Sequence, residues 1–116
     1  MAYEIPGFVF SMKSSGAIRQ YRAVVVGAGP VVTEIASADV KISGIAQMPA
    51  EADNPETIRV MKDGVSFAIA GGDVTAGDQL ATDNQGRLVT VASQTNIVGR
   101  ALTSGAVGEV ISVLLD

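Results

Sequence analysis

Residues 57–70 read Thr57-Ile58-Arg59-Val60-Met61-Lys62-Asp63-Gly64-Val65-Ser66-Phe67-Ala68-Ile69-Ala70, and this stretch decides the fold class. Val65, Phe67 and Ile69 recur with a period of two, the spacing of one face of a strand. Asp63-Gly64 separates two β-rich runs and supplies the positive φ that a tight type I′ turn requires. The stretch therefore predicts a β-hairpin, with Thr57–Lys62 and Val65–Ala70 as its arms.

The same grammar continues on both sides. Downstream, Gly71-Gly72-Asp73 and Ala76-Gly77-Asp78 punctuate the chain. Gln79–Thr82 then reads as a short strand, Asp83-Asn84-Gln85-Gly86 as a turn and Arg87–Ala92 as a strand. Ile97–Thr103 and Glu109–Leu115 follow, with a turn over Gly105–Gly108. Upstream, Tyr21–Val26 is β-rich, Gly27-Ala28-Gly29-Pro30 turns, Val31–Ile35 resumes, and Val40–Ala46 alternates. Met48–Glu56 is a polar loop with two Pro, in which Ala50–Asp53 has the composition of one helical turn. Strands this short, with turns every ~8–12 residues, have the cadence of a sandwich or small barrel.

Composition agrees. Sixteen Val, nine Ile and seven Thr stand against five Leu in 116 residues, and β-branched side chains favour a pleated surface over a helix. The expected fold class is all-β: a small antiparallel β-barrel or sandwich of about eight to ten short strands. One domain accounts for the length, with residues 21–116 as the barrel. Residues 1–20 read either as its first strand or as an N-terminal arm that docks on a neighbouring chain. There is also a faint internal echo. Val32-Thr33-Glu34-Ile35-Ala36-Ser37 followed by Gly44-Ile45-Ala46 resembles Val89-Thr90-Val91-Ala92-Ser93 followed by Gly99-Arg100-Ala101, as two similar half-barrels would.

Most chemistry is excluded by what the chain lacks. Without Cys or His it has no thiolate nucleophile or ligand, no imidazole base and no near-neutral pH switch. No Trp and few Tyr or Phe leave little for stacking bases or sugars. A net charge of −4 and a pI near 4.6, with eight scattered cations, work against a phosphate-binding surface. The expected partners therefore include no nucleic acid and no membrane, since no apolar run is long enough to span one. The start of the chain has neither a basic n-region nor an apolar h-region, so cytoplasmic synthesis is expected.

Two strings invite ligands. Val24-Val25-Val26-Gly27-Ala28-Gly29-Pro30-Val31-Val32 opens like a dinucleotide fingerprint. However, Val32 occupies the third glycine position, and β-branched alternation follows where a helix is needed. Asp73, Asp78 and Asp83 recur among glycines, yet the tight acidic spacing of a calcium loop is missing and no Glu closes it. Asx hydrogen bonding and positive φ explain those aspartates as turn residues. No catalytic, cofactor-binding or metal-ligating residue is expected, and no cofactor.

From about residue 21 the chain resembles the small decoration, or cement, proteins of tailed-bacteriophage capsids. The resemblance is carried by Gly44-Ile45-Ala46, by Val74-Thr75-Ala76-Gly77-Asp78-Gln79-Leu80-Ala81-Thr82-Asp83-Asn84-Gln85-Gly86-Arg87-Leu88-Val89, by Ile97-Val98-Gly99-Arg100-Ala101-Leu102, and by Gly108-Glu109-Val110-Ile111-Ser112-Val113-Leu114-Leu115. It implies a non-enzymatic virion protein on the capsid outer surface, made in the host bacterial cytoplasm. Such a protein works as a homotrimer and clamps neighbouring copies of the major capsid protein. Ile5, Phe8 and Phe10 are the expected partner contacts, since aromatic and aliphatic anchors dominate interfaces. The same residues also read as ordinary core. The alternative functions are a tail or fibre component of the virion, or a carbohydrate- or Ca²⁺-dependent binding module.

Overall fold

The computed structural model describes residues 2, 4–27, 31–38, 41–51, 56–91 and 96–115. Among them the fold is all-β, as expected, with no helix. The strands are β1 (Ile5–Pro6), β2 (Val9–Ser14), β3 (Ala23–Gly27), β4 (Val31–Glu34), β5 (Gly44–Ala46) and β6 (Thr57–Met61). They continue with β7 (Gly64–Ile69), β8 (Gln79–Thr82), β9 (Leu88–Thr90), β10 (Gly99–Ala101) and β11 (Val110–Leu115). Strands β2-β4-β3-β5-β6 close into a barrel, while β1-β7-β11-β10-β8-β9 form a six-stranded sheet. That sheet curls until Leu88 bridges Ala70 in parallel, leaving a half-barrel.

The two halves are copies of one plan. In the barrel β2 pairs in parallel with β4 through Ser14↔Val32, β4 pairs with β3 through Val24↔Glu34, and β3 pairs with β5 through Val24↔Gly44. In the second half Ala70↔Leu88, Leu80↔Thr90 and Leu80↔Gly99 repeat those pairings. The isolated bridge Ile18↔Ala50 recurs as Val74↔Gly105. Even the unusual backbone is duplicated. Tyr21 has φ 63°, and its N–H donates to Ala46 O at 2.8 Å; Gly77 has φ 97° and donates to Ala101 O at 2.8 Å. The internal echo is therefore real. Its second block, Gly44-Ile45-Ala46 against Gly99-Arg100-Ala101, is in the correct register, whereas in the first block Val32 corresponds to Leu88 and not to Val89.

The predicted hairpin over 57–70 does not form. Strand β6 pairs with β2 and β5, β7 pairs with β1 and β11, and the two do not pair with each other. Residues 5–13 instead run antiparallel beside 57–65 in a single register, from Ile5↔Val65 to Lys13↔Thr57, with Lys62 N–H donating to Phe8 O at 2.8 Å. The positive φ of Gly64, 102°, serves the point where the chain passes from one half to the other. A Cβ on Gly7 or Gly64 would collide with the facing strand, so glycine is required there by close approach. The Asp63 carboxylate accepts the Phe8 N–H at 2.6 Å. The local signal was sound, but long-range pairing used it for a crossing and not for a reversal.

Packing separates the halves. The barrel interior holds Ile18, Val24, Val32, Ala46, Ala50, Ile58 and Val60, closed by Phe10, Met12 and Met48. The half-barrel interior includes Ala68, Ala70, Leu80, Leu88, Ile111 and Val113, joined by Ala23, Ile35, Ile45 and Met61 from the barrel's outside. On β7 the face toward the half-barrel interior is thus Ser66 and Ala68, continued by Ala70, all buried, and the period-two set Val65, Phe67 and Ile69 takes the other side. Strand β5 is shorter than the expected Val40–Ala46, whose first residue lies outside the described residues. Ala50, placed in a helical turn by its loop composition, bridges Ile18; residues 52 and 53 of that turn lie outside the described residues.

Candidate interaction surface

Of the three turn carboxylates, Asp73 is exposed, and Asp78 and Asp83 are occupied by the fold itself. Asp78 accepts the Thr75 N–H at 2.9 Å and the Thr90 hydroxyl at 2.8 Å, which together hold it below the usual carboxylate range. Asp83 accepts the N–H groups of Gln85 and Arg87 and pairs with the Arg87 guanidinium at 2.8 Å. These are Asx-type turn bonds. Gly27, the first glycine of the G-x-G string, ends β3 and lies opposite Val31 of antiparallel β4, where a phosphate site would need a helix N-terminus; Ala28, Gly29 and Pro30 lie outside the described residues.

Arginines cluster at the seam between the halves. The β8–β9 turn reaches the barrel, where Ala23 N–H donates to Gly86 O at 2.8 Å and Arg22 Nη1 donates to Gln85 O at 2.8 Å. Arg19 joins the same carbonyl at 3.3 Å and forms a two-point pair with Glu34, at 3.1 and 2.6 Å. The hydrogen bond to that carboxylate raises the Arg19 pKa further. Burial lowers that of Arg22, whose Nε is buried without a partner. These cations tie one half to the other.

An outer cavity of about 350 Å³ lies against β3 and β4, lined by Val25, Thr33, Glu34, Ile35, Ala36, Ser37 and Lys41. Glu34, its one acid, is already committed to Arg19.

The more extensive feature is exposed apolar surface. Ile5 sits on β1 opposite Val65 and is 58% exposed, and Phe8, in the link to β2, is 54% exposed. Phe10 stacks on Phe8 with ring centroids 6.2 Å apart, but it also packs against the barrel core. The three residues singled out in the sequence thus divide: Ile5 and Phe8 face outward, and Phe10 anchors inward. Sequence reading missed Leu114, Val110 and Val107, which are 45%, 43% and 59% exposed. Leu114 and Val110 lie on one face of β11, where alternation alone does not say which side is covered.

Comparison with known proteins fits this picture of a rigid scaffold with apolar patches. A search of curated proteins gives no match. Among solved structures, the head fiber gp8.5 N base of bacteriophage phi29 is similar to this chain, with a TM-score of 0.81 and 17% identity. The match covers 94% of this chain and 95% of that one, a likeness of fold. The family profile described as phage cement protein matches residues 6–115. The chain belongs to the phage cement protein family, and it is a virion structural protein.

Proposed function

We propose that this protein is a non-enzymatic cement that binds the outer surface of an assembled phage capsid and ties neighbouring copies of the major capsid protein together, acting as a homotrimer. The observation that carries this reading is the family match over residues 6–115, on a fold that displays Ile5 and Phe8 at its surface. A cement needs a stiff scaffold and adhesive edges, and it needs no reactive group. Many modest contacts on one lattice act multivalently and stabilise the shell by mass action. Ile5, Phe8 and Phe10 supply partner contact, with Phe10 supporting Phe8 from below. The acidic balance of the chain keeps it from adhering to packaged nucleic acid.

The test is thermal. Purified heads assembled without the protein should lose integrity at a lower temperature than decorated heads, and adding the protein back should restore resistance. Equal resistance with and without it would exclude cementing. The likeness to a head fiber base favours one second reading, a fibre component of the virion. Quantitative mass spectrometry of particles separates the two: a copy number near that of the major capsid protein supports the cement, and a few copies per particle supports the fibre.

A further inference from the structure

The row Ala23–Ile45–Met61–Val9 crosses four strands of the barrel, each residue directly paired with the next. Its counterpart in the second half is Gln79–Arg100–Leu114–Val65, extended by Ile5. Directly opposed residues share a face of the sheet, so each row is a continuous strip. The first strip is covered by the half-barrel at Ala23, Ile45 and Met61, which are completely or almost completely buried, and only Val9 at its end is exposed. The second has the same strands and register but is largely open: Gln79 and Arg100 are exposed, Leu114 is 45% exposed and Ile5 58%, while Val65 between Leu114 and Ile5 is buried.

A terminal repeat whose outer face meets only water is capped with polar side chains. Here the capping stops halfway. Ala23 and Ile45 are replaced by Gln79 and Arg100, but Leu114, in the place of Met61, remains aliphatic and exposed, and exposed Ile5 adds a further aliphatic side chain at the end of the row. We propose that this strip is the surface that contacts the capsid, and that its occupant is a protein surface carrying a carboxylate bordered by aliphatic side chains. This assignment rests on the cementing reading above. Charge complementarity selects the occupant. Arg100 is the one charged side chain of the strip, and its Nη1 is positioned by the Gly77 carbonyl at 2.9 Å. A guanidinium is a five-donor fork matched to a carboxylate, and Leu114 beside it would exclude water from the pair. A central Arg flanked by apolar anchors is the composition of a binding hot spot.

The experiment measures binding of the full chain to purified expanded heads assembled without it, using wild type, Arg100→Glu, Leu114→Asp and the control Val26→Asp, an exposed site on the other half. Circular dichroism and sedimentation are recorded for each. We expect Arg100→Glu and Leu114→Asp each to weaken head binding by about tenfold or more, with fold and sedimentation unchanged and Val26→Asp near wild type. If wild type binds and both strip variants bind equally well, the assignment is wrong while cementing survives. If the strip variants bind heads but sediment as smaller species, the strip is a contact between copies and the assignment is again wrong. Wild type that fails to bind heads overturns the cementing reading and this assignment with it.

Discussion

The closed barrel and the curled half-barrel share strand order, register and even the position of a left-handed backbone residue, yet only one of them fills its own interior. In the barrel, Phe10, Met12 and Met48 point into the core. At the equivalent places the half-barrel has Ser66, Ala68 and Thr103, so its interior is completed by Ile45 and Met61 from the barrel's outside. Close packing leaves no room for voids, so large side chains in one half and small ones in the other amount to a plug and a socket. Gln47 marks the joint, donating to Ser66 Oγ at 3.0 Å. Duplication set the topology, and a few side-chain sizes determined which half depends on which.

The strongest way to break this comparison is to empty the plug. Ile45→Ala should cost about 2–5 kcal/mol and lower the stability of both halves in one cooperative transition, read by chemical denaturation. Two separate transitions would show that the halves are independent. Filling the socket comes next. Ala68→Met gives the half-barrel the side chain its counterpart carries, and overpacking should cost roughly 1–3 kcal/mol. A gain in stability would mean that the socket is not full.

Smaller effects sharpen the backbone and charge parts of the comparison. Gly77→Ala meets no neighbour at its Cβ but keeps a φ of 97°, so strain alone should cost about 1–2 kcal/mol and lower Tm by several degrees. Tyr21 tolerates φ 63° in the equivalent turn, and its ring meets Phe67 edge-on at 5.3 Å. The smallest effect is at Asp78, whose counterpart Arg22 does not titrate in acid. Bonds from Thr75 and Thr90 lower its folded pKa. Its contribution is therefore present above the ordinary aspartate value, about 4, and is lost as pH falls through the lowered folded value. Asp78→Asn should flatten that part of the Tm-against-pH curve, with a small loss of Tm at neutral pH that disappears in acid, where the two proteins converge.

Much of this was legible in the residues. The β-branched composition and the turn cadence point to short strands, and Gly44-Ile45-Ala46 against Gly99-Arg100-Ala101 marks the duplication. What was hidden depends on pairing across long sequence separation. Asp63-Gly64 satisfies hairpin chemistry locally, and only the approach of Gly7 turns it into a crossing. Val65, Phe67 and Ile69 alternate like a core face, but the barrel's plug favours the small face beside them. Arg100 and Leu114 are unremarkable in sequence; they become neighbours through the register of β10 and β11.

The crossing also has a mechanical side. Residues 5–13 lie along 57–65 in a single register that spans the joint between the halves, as a splint lies across a fracture. Hinging at that joint would require several ladder hydrogen bonds to break together, and not one at a time. Load applied to either half is thus carried through the backbone of both, so the molecule should transmit tension as one stiff strut.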